Sequence, residues 1–324
     1  MEKGGRVRGK PRRAAAARLA GGVVLAGLIL ASLGACVLDT PYDKYAIVYG
    51  VADYQDGVND LNYTDDDALA MEALLTGQGY QVVASRLNDA ASKDNLQNFD
   101  IPAVAALAQQ EDLFVFYFSG HGGQASSGGE AAGGDAYNEY IYLYGSDNLS
   151  NLSLAVSDDE LVAAFAGIKA RKKVIIIDAC NSGGFIGNAL EVDGEPPALV
   201  EGSDGLLERM ADAIRLYANF DGSTADIPPS EALVLSASGE REFSYETPDS
   251  YGEGPPLYHG VFTYYLLEAE RKGDLNHDGW VTVTEAFAYT QDMIYRYWNH
   301  GFPSDAFSPH VSGGPVDYVL FEAR

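Results

Sequence analysis

The chain is poor in cysteine and histidine: 324 residues hold two cysteines, Cys36 and Cys180, and five histidines. Two thiols cannot build a disulfide framework, and His259, His277, His300 and His310 show no zinc-ligand spacing. Positive charge is also scarce, with 21 Lys and Arg against 47 Asp and Glu, a formal charge of −26. Such a surface repels nucleic acid and anionic lipid and favours calcium or polypeptides rich in Lys and Arg. Neither a Gly-x-Ser-x-Gly elbow nor a phosphate loop is present, which argues against serine hydrolase and nucleotide chemistry. Nothing calls for an organic cofactor, and no internal repeat is visible.

What basic charge exists is unevenly placed. Lys3, Arg6, Arg8, Lys10, Arg12, Arg13 and Arg18 precede the uncharged stretch LAGGVVLAGLILASLGA, which ends at Cys36. That order of basic region, apolar region and small residues is a secretion signal. LGAC resembles a lipobox, so Cys36 is expected to carry lipid and become the N-terminus; the alternative is an uncleaved membrane anchor, and both export the rest. The expected organisation is a lipoprotein signal peptide over 1–35, a tether over 36–44 and one domain over 45–324, extracytoplasmic and attached to a membrane by its lipid. Without the first 35 residues the charge becomes −32. With Cys36 on lipid, Cys180 is the remaining thiol, either buried and inert or kept for its reactivity.

Strand-sized apolar runs recur at 45–51, 81–85, 113–119, 140–145, 173–179 and 232–238. They are nearly continuous in Val, Ile, Tyr and Phe, the pattern of a parallel sheet covered on both faces. Helical patterns alternate with them, including DDDALAMEALL and SDDELVAAFAGI, the second opening with Ser157 and Glu160 in capping-box spacing. The expected fold class is α/β, a three-layer α/β/α sandwich with a mostly parallel central sheet.

LFVFYFSG runs into His121 and VIIID runs into Cys180. In open α/β sheets, reactive groups gather at the carboxyl ends of strands, so adjacent strands would bring thiol and imidazole to one edge. An imidazole there raises the thiolate fraction and later protonates a leaving amine. The surrounding Gly120, Gly122, Gly123, Ser182, Gly183 and Gly184 would let a carbonyl approach backbone N–H donors.

FYFSGHGG followed, 59 residues from His to Cys, by IIIDACNSGG resembles the caspase and metacaspase superfamily of cysteine peptidases, most closely its bacterial metacaspase-type members. The resemblance runs from about Tyr45 to the end of the chain. It implies His121 as general base and acid, Cys180 as nucleophile, and the backbone N–H groups of Gly122 and Cys180 as oxyanion donors. It further implies Asp67 and Asp178 as the substrate-binding acids that select Arg or Lys, hence polypeptide substrates with basic residues. Asp66 and Asn181 depart from the Asn and His usual in the family. The alternative is a catalytically inactive, calcium-binding surface lipoprotein that uses the same scaffold to bind a partner.

DLNHDGWVTVTE, residues 274–285, fits the twelve-residue EF-hand calcium loop. Asp274, Asn276 and Asp278 stand at positions 1, 3 and 5, Gly279 at the turn, Trp280 at 7 for its carbonyl, Thr282 at 9 and Glu285 at 12. Calcium is therefore the expected metal, structural or activating.

Overall fold

The computed structural model describes residues 42–55, 60–126, 137–146, 152–180, 232–239, 242–247, 257–312 and 317–324. The signal segment, Cys36, most of the tether, Asn181 and the small residues at 182–184 lie outside the described residues.

The strands in chain order are β1 (Lys44–Gly50), β2 (Gln81–Leu87), β3 (Leu113–Ser119), β4 (Gly122–Ser126), β5 (Tyr137–Ile141), β6 (Val156–Ser157), β7 (Lys172–Asp178), β8 (Ala232–Ser236), β9 (Glu246–Thr247), β10 (His259–Gly260), β11 (Trp280–Thr282), β12 (His310–Ser312) and β13 (Val319–Glu322). The helices are α1 (Thr64–Gly77), α2 (Lys93–Asn95), α3 (Ile101–Leu107), α4 (Asp158–Phe165), α5 (Val261–Lys272) and α6 (Val283–Met293). Six strands form the central sheet in the order β12-β8-β7-β3-β1-β2. All neighbours pair in parallel except β12, which runs antiparallel to β8 at the edge. This is the expected α/β fold with a mostly parallel sheet.

The continuous apolar runs arise because both faces of the sheet are covered. In β3, Phe114, Phe116 and Phe118 join one core with Leu96, Ile101, Leu161 and Phe165 from α4 and the α2–α3 region. Val115 and Tyr117 point the other way, into a core with Ala68, Met71 and Leu75 of α1 and residues of α5 and α6. Alternation of side-chain direction along a strand makes two cores from one sequence run. α1 carries Asp65, Asp66 and Asp67 in its first turn, where acids suit the helix dipole. α4 has the expected capping box, Ser157 accepting from the Glu160 amide and Glu160 from that of Ser157.

One run behaves differently from expectation. The residues 140–145 do not add to the parallel sheet: Tyr137–Ile141 pairs antiparallel with β4 and β6 in a separate three-stranded sheet. Glycine-rich chain leads directly from β3 into β4, so a local antiparallel partner becomes available to this segment. Among the described residues no helix is long and apolar enough to cross a membrane.

Strand order changes direction between β1 and β3, because β1 leads outward to β2 and the chain then returns to β3 on the other side. Open α/β sheets bind ligands outside the carboxyl ends of strands near such a point. Gly50 at the end of β1 lets α1 lie against it: a Cβ there would be 2.5 Å from the Thr64 carbonyl oxygen and 2.6 Å from the Ala68 Cβ. The close approach brings Asp67 to this edge.

Candidate active site

β3 and β7 pair in parallel with Ser119 opposite Asp178. The Gly120 amide donates to the Asp178 carbonyl at 3.1 Å, so the pairing continues one step beyond the strands. His121 and Cys180 follow, each two residues past a strand end, and both line one cleft with Asp67, Ser119, Asp178, Ser244 and Gly260. The two motifs touch through backbone. A Cβ on Gly122 would lie 2.2 Å from the Cys180 carbonyl oxygen and 2.9 Å from the Ala179 Cβ.

His121 sits at the rim, partly exposed. Its amide donates to the Tyr54 hydroxyl at 2.8 Å, and that hydroxyl donates to the Tyr142 carbonyl at 3.0 Å. Its ring packs on Tyr54 with centroids 4.9 Å apart. Cys180 is also partly exposed, its thiol directed at the Ser244 carbonyl at 3.7 Å. Burial pushes that thiol above its ordinary range, and the charge of Asp178 adds to the effect.

Two carboxylates are enclosed beneath. Asp67 is wholly buried and accepts from the His259 ring Nδ1 (2.8 Å), the Gly260 amide (3.0 and 3.2 Å) and the Ser119 hydroxyl (2.9 Å). Asp178 accepts from the Ser244 hydroxyl at 2.6 Å and from the Thr263 hydroxyl and amide at 2.7 and 3.2 Å. Gly260 lies between the pair: a Cβ there would be 2.5 Å from Asp178 Oδ2 and 2.8 Å from Asp67 Oδ2. Burial, and then the charge of Asp67, raises Asp178 to about 7. Asp67 is raised by burial too, opposed by its bonds to His259, Ser119 and Gly260. Two like charges in one enclosed site disfavour each other's ionisation.

A family model described as Caspase domain matches residues 43–301. The chain belongs to the caspase-domain family. Its fold is similar to the crystal structure of protein GSU0716 from Geobacter sulfurreducens, with a TM-score of 0.51 at 20% identity over 88% of this chain and 98% of that one. No curated protein matches in sequence.

In this caspase-domain protein the fold gathers His121, Gly122, Cys180, Asp67 and Asp178 at one sheet edge. The departure at Asp66 stays outside the cleft: that side chain is exposed on α1, one residue from the enclosed Asp67. Sequence reasoning missed His259, Ser119, Ser244 and Thr263, which hold the two acids. His259 has no zinc-ligand spacing, and its position before Gly260 at the start of α5 is the signal the sequence offers for it. Ser244 and Thr263 carry no motif of their own and are recruited by packing.

Gly122→Ala is expected to cost about 1–3 kcal/mol, because a methyl group must displace strand-end backbone rather than a flexible side chain. Urea unfolding measures this, and a midpoint equal to the parent would show that the two motifs are not in backbone contact.

The loop residues expected to bind metal are also described. Asp274, Asn276 and Asp278 form the turn after α5, Trp280 and Thr282 lie on β11, and Glu285 is in the first turn of α6. Among the described residues, no group of three or more His, Cys, Asp and Glu side chains is gathered as a metal site.

Proposed function

We propose that this caspase-domain protein is a cysteine endopeptidase that cleaves after Arg or Lys, exported and held at a membrane by lipid on Cys36. Membership of the caspase-domain family makes it a peptidase-type hydrolase at the superfamily level with polypeptide substrates, and does not favour the silent-scaffold alternative. The observation that carries the finer reading is the single cleft, with a partly exposed thiol and an imidazole above two enclosed carboxylates. The membrane and export part rests on the order of basic, apolar and small residues before Cys36.

Because burial raises its thiol, Cys180 is protonated near neutral pH and needs a base. His121 takes that proton as the sulfur attacks the scissile carbonyl carbon. A C–S bond forms and the carbonyl electron pair moves to oxygen, where the N–H groups of Gly122 and Cys180 stabilise it. Collapse breaks the C–N bond, and His121 gives its proton to the departing amine. Water, deprotonated by His121, then attacks the thioester; the C–S bond breaks, the carboxylic acid leaves and the thiolate recovers its proton.

Selectivity follows from the enclosed acids. An arginine or lysine side chain entering beside Asp67 and Asp178 supplies the positive charge that relieves both their burial and their mutual repulsion. An acidic side chain would add a third like charge. The decisive experiment labels the protein with an arginyl electrophile and follows cleavage of peptides ending in Arg, Lys, citrulline or Asp. Modification confined to Cys180 and cleavage after Arg and Lys are expected; preference for Asp would remove the pocket assignment and leave the family standing.

The pocket also predicts a pH dependence. Since Asp178 titrates near 7, the ratio of kcat/KM for arginyl over citrullyl peptides is expected to rise with pH through about 7 and then level off. Taking the ratio cancels the pH dependence of the chemical step, which is common to both substrates. Stability moves oppositely. The folded state holds the Asp178 proton that the unfolded chain releases near its ordinary 3.8, so this contribution is complete below that range and is lost as pH rises through about 7. A flat ratio between pH 5 and 9 would contradict the assignment of Asp178.

A further inference from the structure

We propose that residues 274–285 bind one calcium ion, at a site outside the cleft whose existence does not depend on the peptidase reading. The twelve positions supply oxygen donors in calcium-loop spacing: side chains at 1, 3, 5, 9 and 12 and the Trp280 carbonyl at 7. The backbone makes the required sharp turn, with His277 at φ 62 and Gly279 at φ 90. Asp274 accepts from the amides of Asp278 and Gly279 at 3.1 and 3.0 Å, and Asn276 from that of Asp278 at 2.8 Å.

The independent observation is Glu285. It is 6% exposed, and its Oε2 faces the loop, accepting from the amide and hydroxyl of Thr282, each at 3.0 Å. Its other oxygen, Oε1, is buried with no hydrogen-bond partner. An unpaired, enclosed carboxylate oxygen is costly unless a cation completes it. Neighbouring basic side chains are committed elsewhere, Arg271 to Glu270 and Lys272 to Glu268. Asp274, Asp278 and Glu285 thus put three acids into twelve residues. Their carboxylates are not gathered into a ligand cluster, so binding has to draw them together, and relief of their repulsion favours that closure. A mixed set of carboxylates, an amide, a hydroxyl and a carbonyl suits calcium better than magnesium, which demands near-ideal octahedral geometry.

The test uses the full chain. Terbium is the probe, excited through Trp280, which is 44% exposed at the ligand position that offers its carbonyl. Saturable emission at one ion per chain is expected, displaced by calcium at concentrations at least tenfold below those of magnesium, with thermal stability rising as calcium is added. Glu285→Gln and Asp274→Asn should each weaken calcium binding at least tenfold. The second variant leaves the Thr282–Glu285 cap of α6 intact, so it decides the matter should the first fail to fold. Absence of saturable emission, or binding that both variants retain and that salt abolishes, would overturn the site in favour of diffuse attraction to the acidic surface.

Discussion

Cys180→Ala is expected to lower kcat/KM on an arginyl peptide by about 10⁴-fold or more, because no other group in the cleft can form the thioester. His121→Ala should cost about 10²–10⁴, the usual contribution of a positioned acid and base. If the two act as one unit, the double variant will be no slower than Cys180→Ala alone, whereas independent contributors would multiply. Circular dichroism and urea midpoints should stay near the parent for Cys180→Ala, since the thiol is only partly buried. Full activity in that variant would end the cysteine-peptidase reading whatever the family, and equal losses on arginyl and citrullyl peptides would place the defect in the chemistry rather than in the pocket.

Asp178→Asn should do the reverse, removing selectivity more than chemistry. Losing one partner of an enclosed charge pair costs about 2–5 kcal/mol, or about 30- to 4000-fold in kcat/KM for arginyl substrates. Citrullyl substrates, neutral and of similar shape, should change by only a few-fold. The amide retains an oxygen for the Thr263 amide and hydroxyl, and the Ser244 hydroxyl can turn to accept, so the fold is expected to survive. Removing the carboxylate also removes repulsion on Asp67, and the fall in stability with rising pH should flatten. Parallel kinetics on the two peptides measure this. An unchanged arginyl-to-citrullyl ratio would show that Asp178 orients the strand end without contributing to selection.

Both experiments depend on residues that differ in how readily the chain itself announces them. His121 and Cys180 stand at the ends of two long apolar runs and are visible from patterning alone. Asp67 and Asp178 came from the resemblance, and their surroundings did not. Ser119, on β3, reaches Asp67, and Thr263, on the first turn of α5, reaches Asp178 across 85 positions of sequence. His259, 192 positions from Asp67, is brought to it only because α5 and α1 pack on the same face of the sheet.

The fold divides in the same way. The runs at 45–51, 81–85, 113–119, 173–179 and 232–238 are strands of the central sheet because burial on both faces leaves a signature that needs no knowledge of neighbours. The run at 140–145 has a similar composition, yet it lies outside that sheet, since local residue content does not say which partner a strand will find. The short edge strand His310–Ser312 left no such signature. Chain order and hydrophobic periodicity by themselves therefore determined the layered α/β class and the strand-end positions of His121 and Cys180, and the motifs around those two residues carried the resemblance to the family. Which strands are neighbours, how closely Gly122 meets the Cys180 backbone, and that two acids share one enclosure with a histidine were decided only by tertiary packing. Those features arise from contacts between residues far apart along the chain, and no local pattern encodes a distance in space.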